Sequence, residues 1–246
     1  MIVLAVYNLK GGVGKTTTAV NLAYLAAREG LTTLLWDLDP QGAASFYLDT
    51  EPEIAGDAEA LLRRKNRLHR HARETPYPRL DLIPSDFSYR HLDLALDGTG
   101  KPARRIARLL QPLSLAYDWV ILDAPPGISR LADSLFVAAD ALLIPTIPTP
   151  LSLRALEQVR GHLETLKSSR RPRVLPFFSM ADRRKGLHRA ILETAGDEGF
   201  LTSRLSYLAD VERMGTEQAP LPAFAPWRPA AREVEALWRE LRAALG

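Results

Sequence analysis

Tyr7-Asn8-Leu9-Lys10-Gly11-Gly12-Val13-Gly14-Lys15-Thr16-Thr17 joins an apolar run, Ile2–Tyr7, to a stretch of helical periodicity. Glycines tolerate positive φ and carry no Cβ, so Gly11, Gly12 and Gly14 let the backbone curl and turn successive N–H groups inward. A helix opening directly afterwards adds its unpaired amides and the positive end of its dipole. Lys15 then suits the β- and γ-phosphates of a nucleotide, and the Thr16 hydroxyl suits Mg²⁺. Strand, GGVGKTT and helix in that order read as a phosphate-binding loop. The usual spacing, G-x-x-x-x-G-K-[ST], wants a glycine at position 9. Leu9 stands there instead, with a second lysine, Lys10, beside it.

Outward from this loop, short apolar runs alternate with helical stretches. Thr16–Glu29 predicts a helix with a small apolar side (Ala19, Val20, Ala23, Ala26, Ala27), and Gly30 stops it. Strands are predicted at Thr32–Trp36, Leu80–Pro84, Asp118–Leu122, Ala141–Pro145 and Arg173–Phe178. Helices are predicted at Tyr89–Leu96, Ala103–Leu113, Ser152–Leu166, Leu187–Ala195 and Ala230–Leu245. Such alternation implies an α/β three-layer sandwich: a mostly parallel central sheet with helices on both faces. We expect one domain over residues 1–246. Ligands of such sheets bind at the carboxyl ends of the strands.

The bulk composition narrows the function classes. Of 246 residues, 46% are hydrophobic and 25% charged, which suits a globular fold. With no Cys, disulfides, iron–sulfur clusters and thiolate zinc sites are excluded. No apolar run approaches the roughly 18 residues of a membrane span. The N-terminus lacks the basic start and cleavage site of a signal peptide. Net charge is only +3, but its distribution is uneven. Arg160–Arg189 holds nine Lys/Arg against two acids, and Leu61–Leu80 holds seven against one. These segments are either phosphate-attracting patches or solvated helix faces. Ala230–Leu245 carries Val234, Leu237, Trp238, Leu241 and Leu245 on one face. It is read as a closing helix on the sheet, with a membrane-surface helix as the alternative.

Two further motifs follow predicted strands. Trp36-Asp37-Leu38-Asp39-Pro40-Gln41-Gly42 places carboxylates at i and i+2, which point the same way in an extended chain. Mg²⁺ favours carboxylates plus water, and an attacking water needs an orienting acceptor. Val120-Ile121-Leu122-Asp123-Ala124-Pro125-Pro126 is an apolar strand ending in Asp, the Walker B pattern.

KGGVGKTT (10–17), DLDPQG (37–42) and VILDAPPG (120–127), in this order, resemble the ParA/MinD family of deviant-Walker ATPases, and the ParA (Soj-like) partition ATPases above all. The resemblance spans essentially the whole chain. It implies a P-loop NTPase fold of SIMIBI type, ATP and Mg²⁺ as cofactors, and slow, partner-stimulated hydrolysis. It also implies a face-to-face dimer around two nucleotides. Lys10 resembles the signature lysine that crosses to the partner's phosphates, and Lys15 the lysine acting in cis. A cation supplied in trans neutralises charge growing in the transition state and makes hydrolysis depend on dimerisation. A glycine at position 9 is dispensable because residues 10–12 make the turn. Lys10, Gly11, Gly12, Val13, Gly14, Lys15, Thr16 and Thr17 are thus the nucleotide-binding loop. Asp39 resembles the residue that positions the attacking water. Asp37 and Asp123 resemble the Mg²⁺ shell, together with Thr16; for Asp37 the alternative is a hydrogen bond to the loop backbone.

Ile144–Ser152 corresponds to a Pro-containing turn of the family, and Pro145, Pro148 and Pro150 stiffen it. It is read as structural or dimer-lining. Phe178–Lys185 resembles a segment beginning T-M-x-D-x-R, which puts Met180 near the adenine and makes Arg183, Arg184 and Lys185 DNA-binding candidates. Arg204 is a fourth. The family's arginine-rich signature is not reproduced at Arg204–Arg213. No DNA-reading domain is expected ahead of the phosphate loop, so DNA binding should be sequence-independent.

The implied partners are a second copy in the ATP state, non-specific DNA, and a ParB-like or cargo-adaptor protein that stimulates hydrolysis. The cargo would be a plasmid, a chromosome or a large assembly such as a carboxysome, at a cytoplasmic, nucleoid-associated location. The alternative is a MinD-like membrane-cycling ATPase. It needs a basic amphipathic tail, and the sequence ends at Leu245-Gly246, directly after a fold helix. Relatives of the nitrogenase iron protein use interface cysteines, and ligases such as dethiobiotin synthetase do not call for DLDPQG with Lys10.

Overall fold

A computed structural model describes residues 1–51, 61–62, 68–168, 171–194, 199–207 and 209–246. Its strands are β1 Ile2–Val6, β2 Thr33–Asp37, β3 Arg73–Glu74, β4 Leu80–Ile83, β5 Trp119–Asp123, β6 Ala141–Thr146, β7 Arg173–Ala181 and β8 Arg204–Ser206. They form one eight-stranded sheet in the order β3-β4-β2-β5-β1-β6-β7-β8. Among the described residues only the short β3–β4 pair is antiparallel. The chain passes from β1 to one side, into β2, and later to the other side, into β6. β1 therefore stands where the strand order reverses, which is where ligands of open parallel sheets bind.

Side chains alternate along each central strand and build a core on either face. Val3, Ala5, Leu34, Trp36, Val120 and Leu122 face one side; Leu4, Val6, Leu35 and Ile121 face the other. The first core is covered by α3 Leu92–Asp97, α4 Arg105–Leu110, α5 Arg130–Ala138 and α6 Pro150–Thr165. The second is covered by α1 Lys15–Arg28, α2 Ala43–Tyr47, α8 Ala209–Glu217, α9 Leu221–Phe224 and α10 Pro229–Leu245. Helix α7, Gly186–Thr194, buries only His188. The expected three-layer α/β architecture is the one observed.

α10 closes the second core. Val234, Leu237, Trp238 and Leu241 are buried, and the Trp238 ring meets Trp119 edge-on with centroids 4.9 Å apart. The apolar face that a membrane-surface helix would present is thus already packed on the sheet.

Several boundaries depart from expectation for local reasons. The Asp118 carboxylate accepts from the Thr32 backbone N–H and hydroxyl, both at 2.8 Å. This mutual clamp precedes β2 and β5 and moves both strands on by one residue, so that Asp37 and Asp123 become their last residues. Tyr89–Leu96 is a 3₁₀ turn, Phe87–His91, running into α3; Asp86 caps it by accepting from the Ser88 N–H. Ala103–Leu113 keeps only α4 as α-helix, because Pro112 cannot supply the next helical N–H. β7 runs on from Phe178 to Ala181 because β8 pairs with it there, with a register shift between those residues. Ala195, at the predicted end of α7, lies outside the described residues.

Candidate active site

The loop between β1 and α1 is held from three sides. Asn8 donates from Nδ2 to the Pro145 carbonyl at 2.8 Å, and its Oδ1 accepts from the Lys10 N–H at 2.9 Å. Leu9 packs partly buried against the first core. The Asn8 side chain makes the turn and Leu9 anchors it, so a glycine at position 9 has nothing to do. Ser179, at the end of β7, donates to the Val13 carbonyl at 2.8 Å. Gly14 has φ 87°, and a Cβ there would stand 3.1 Å from Ser179 Oγ. Glycine is required at this position for both reasons. No side chain caps α1 and no acid lies in its first turn, so the amides of a 14-residue helix open towards the hollow.

That hollow measures about 580 Å³ and is lined by Gly11, Gly12, Gly14, Lys15, Thr16, Thr17, Asp39, Pro125, Pro126 and Met180 among others. Lys15 is 6% exposed, and its Nζ donates to the Lys10 carbonyl at 3.1 Å. Burial lowers its pKa, while the carboxylates of Asp123 and Asp39 pull it back up. Lys10 follows a different course: its Nζ donates to Ser152 Oγ, at the start of α6, at 3.4 Å.

The three aspartates separate into distinct environments. Asp37 and Asp123 are direct partners across the β2–β5 ladder. Both are fully buried. Asp37 Oδ1 accepts from the Asp39 N–H at 3.2 Å, and Oδ2 accepts from the Ser45 N–H at 3.1 Å and hydroxyl at 3.0 Å. Desolvation nonetheless pushes the Asp37 pKa up to about 6. Asp123 has two buried oxygens with no hydrogen-bond partner. Burial, and next the charge of Asp37, raise its pKa well above the carboxylate range; Thr16 and Lys15 act the other way. Asp39 sits on a turn closed by the Gly42 N–H to Asp39 carbonyl bond, 2.9 Å. Asp37 is hydrogen-bonded to the loop backbone and Ser45, and Asp39 lines the hollow.

A fully buried carboxylate with the Thr16 hydroxyl and the Lys15 ammonium close to it, behind the anion cradle, fits a divalent cation. Asp123 and Thr16 are the residues whose donors suit it. Among the described residues no group of three or more His, Cys, Asp or Glu gathers as a self-sufficient metal site, so such an ion would share its shell with phosphate and water.

Met180 has φ 53° and borders a second, largely apolar hollow of about 240 Å³, with Gly14, Thr17, Ser179, Leu205, Tyr207 and Glu212. The two hollows share Gly14, Thr17 and Met180 in their walls and are therefore adjacent.

The basic residues gather at the β7–β8 edge. Arg183 and Arg204 line a hollow of about 220 Å³ together with Arg189, Leu192 and Glu193. Arg184 is committed elsewhere: its Nε and Nη2 grip both oxygens of Asp182 at 2.9 Å, which holds that carboxyl down at about 2. Lys185 is exposed beside it. Of the basic segments in the sequence, Arg63, Arg64, Lys65, Arg67 and Arg170 lie outside the described residues. Asn8, Ser45, Ser85, Ser152, Ser179 and Arg189 were not singled out from the sequence. Ser85, for instance, donates to the Asp39 carbonyl at 2.6 Å. Short polar residues in loops carry no periodic signal, and only the packed sheet shows what they touch.

Comparison with known proteins bears on this geometry. The family described as AAA domain matches residues 1–175. The chromosome partitioning protein ParA of Caulobacter vibrioides is 33% identical over 191 residues, covering 75% of this chain and 72% of that protein. The virulence plasmid ParA family protein pGP5-D of Chlamydia psittaci is 27% identical over 98% of this chain and 94% of its own length. Among solved structures, Cyanothece McdA in complex with ATP superposes with a TM-score of 0.84 at 22% identity, covering 98% of this chain and 96% of that one. A plasmid partition protein of Borrelia burgdorferi bound to AMPPNP gives 0.85 at 19% identity, covering 99% of each chain.

Proposed function

We propose that this chain, which belongs to the ParA/MinD family of P-loop ATPases, binds ATP with Mg²⁺, pairs with a second copy across the nucleotides, holds DNA without reading its sequence, and releases it on hydrolysis. The observation that carries the reading is the convergence of an uncapped helix N-terminus, the buried Lys15 and the carboxylate of Asp39 on one hollow. Solved relatives in this fold carry ATP or AMPPNP, which supports the choice of nucleotide.

The residues divide the work. The amides of Gly11 to Thr17 and the Lys15 ammonium take the phosphates. Thr16 and Asp123 would hold Mg²⁺, which would supply positive charge against the phosphates. Asp39 faces the open hollow and accepts the hydrogen bond that orients the attacking water. Asp37 acts at one remove, pinning the Asp39 turn through its N–H and through Ser45. The apolar hollow beside Met180 and Tyr207 takes the flat face of the base. Lys10 supplies its charge to the nucleotide of the partner copy. Arg183, Arg189 and Arg204 meet phosphates of DNA, with Lys185 at the margin. The cargo is a plasmid, chromosome or large protein assembly, and its adaptor protein accelerates turnover.

Asp39→Ala with ATP and Mg²⁺ is the decisive variant. Light scattering should show a persistent dimer that stays on DNA at low salt. A lone polypeptide that hydrolyses ATP at the wild-type rate at every protein concentration would overturn the cycle. The membrane-cycling alternative predicts flotation with liposomes in ATP; the apolar face of α10 is already buried on the sheet.

A further inference from the structure

We propose that Glu233 is a positioning residue for the nucleotide base: its carboxylate fixes β8 as one wall of the apolar hollow beside the phosphate loop. The inference rests on the reading that this hollow takes the base. It concerns α10, whose part in the fold is otherwise to close the second core.

β8 has only three residues, yet Leu205 and Ser206 line the hollow, and Tyr207 follows them there. Its pairing with β7 is a thin support. Phe178 faces Arg204 and Ala181 faces Ser206, with a register shift between the two pairs. Met180, with φ 53°, stands inside that irregular stretch and lines the same hollow. The ladder is thus interrupted beside the residues that form the wall.

Further support comes from α10. Glu233 Oε2 accepts from the Ser206 N–H at 2.7 Å, and Oε1 accepts from the Ser206 hydroxyl at 2.7 Å. Further along the helix, Glu240 Oε1 accepts from the Thr202 N–H at 2.7 Å and hydroxyl at 3.0 Å, and Oε2 accepts from the Ser203 N–H at 2.8 Å. Residues 233 and 240 are about two turns apart and share one side of the helix, so α10 grips the strand and its approach twice. Hydrogen bonds to a carboxylate are shorter and stronger than neutral ones. The grip has a rigid backing, because Val234, Leu237, Trp238 and Leu241 are buried in the second core. Of the two carboxylates, Glu233 is the one bound to a residue of the hollow. The phosphate cradle, by contrast, is held by Asn8 on Pro145 and by Ser179 on Val13.

The consequence is a split between base and phosphates. Glu233→Ala releases Ser206 and should weaken MgATP binding about fivefold to tenfold in calorimetry. Magnesium tripolyphosphate, which has the phosphates and no base, should bind within about twofold of wild type. Glu233→Gln keeps one oxygen acceptor and should fall between for ATP, about twofold to threefold weaker. Equal losses for ATP and tripolyphosphate would mean that the carboxylate only supports the fold, and would overturn the proposal. If wild type binds tripolyphosphate as tightly as ATP, the hollow adds nothing to binding, and the base reading fails together with the inference built on it. A wild type that favours ATP, with both variants matching it for either ligand, overturns the positioning role alone. The two failures are therefore distinguishable.

Discussion

The phosphate hollow and the basic β7–β8 edge both gather cations, yet they are built in opposite ways. In the hollow the charges are buried. Lys15 is drawn down by burial and held up by Asp123 and Asp39, and Asp123 keeps two acceptors empty. At the edge Arg183, Arg184 and Arg189 are exposed, Arg204 is half-buried, and Arg184 is paired with Asp182. Buried charge is worth much per group and tolerates no error in placement. Exposed charge is worth little per group and acts by number. The proposed function matches this division: gripping one triphosphate calls for the first construction, and holding any stretch of phosphate backbone calls for the second.

The largest effects should come from breaking the hollow. Lys15→Gln removes its buried cation and should weaken ATP binding by about 100-fold or more; calorimetry that finds affinity retained would undo the loop assignment. Asp39→Ala leaves the phosphate-binding groups intact, so ATP should still bind while turnover falls by about 100-fold. Normal turnover would mean that another group orients the water.

Asp123 sharpens the contrast through stability. Both it and Asp37 have folded pKa values raised above the unfolded ones, Asp37 to about 6. Folding then favours the protonated acids. Stability is fully present below the unfolded carboxylate value and falls as pH rises through the folded one. The nucleotide-free protein should accordingly be more stable at pH 5 than at pH 7. Asp123→Asn should flatten that slope and stabilise the nucleotide-free chain by on the order of 1–2 kcal/mol, while losing Mg²⁺-dependent hydrolysis. A variant that unfolds more easily at pH 7 than wild type would show that Asp123 stabilises the fold rather than straining it.

At the edge the effects should be smaller and graded. Removing one cation that meets a DNA phosphate changes the log–log salt slope of DNA retention by about 0.9. Arg183→Glu with Arg204→Glu should lower the slope by about 2 and leave ATP affinity alone. Arg184→Ala should change the slope by less than the double variant does, because Arg184 is paired with Asp182 and less free to meet a phosphate. If Arg184→Ala instead matches the double variant, DNA takes Arg184 from its carboxylate and the edge is less passive than its geometry suggests.

The two regions also differ in how far they could be read from residues alone. GGVGKTT, DLDPQG and VILDAPPG each lie within a few consecutive residues at a strand end, so local order already carried their chemistry. The alternation of apolar runs with helical stretches likewise implied the parallel sheet and its ligand edge. The basic edge was only half legible. Arg183, Arg189 and Arg204 come from three elements, and β8 has no apolar run to announce it. Only its pairing with β7 brings Arg204 to the others.

What the residue order determined unaided was the identity of each reactive group and the strand end that carries it, because backbone geometry and spacing act over a few residues. Which groups meet was left to packing. The ladder that sets Asp37 against Asp123, the Ser45 hydrogen bonds to Asp37, and the Ser152 hydroxyl beside the Lys10 ammonium all join residues from different elements. Such pairings exist only once two apolar faces have been buried on one sheet, and that burial is a property of the whole chain.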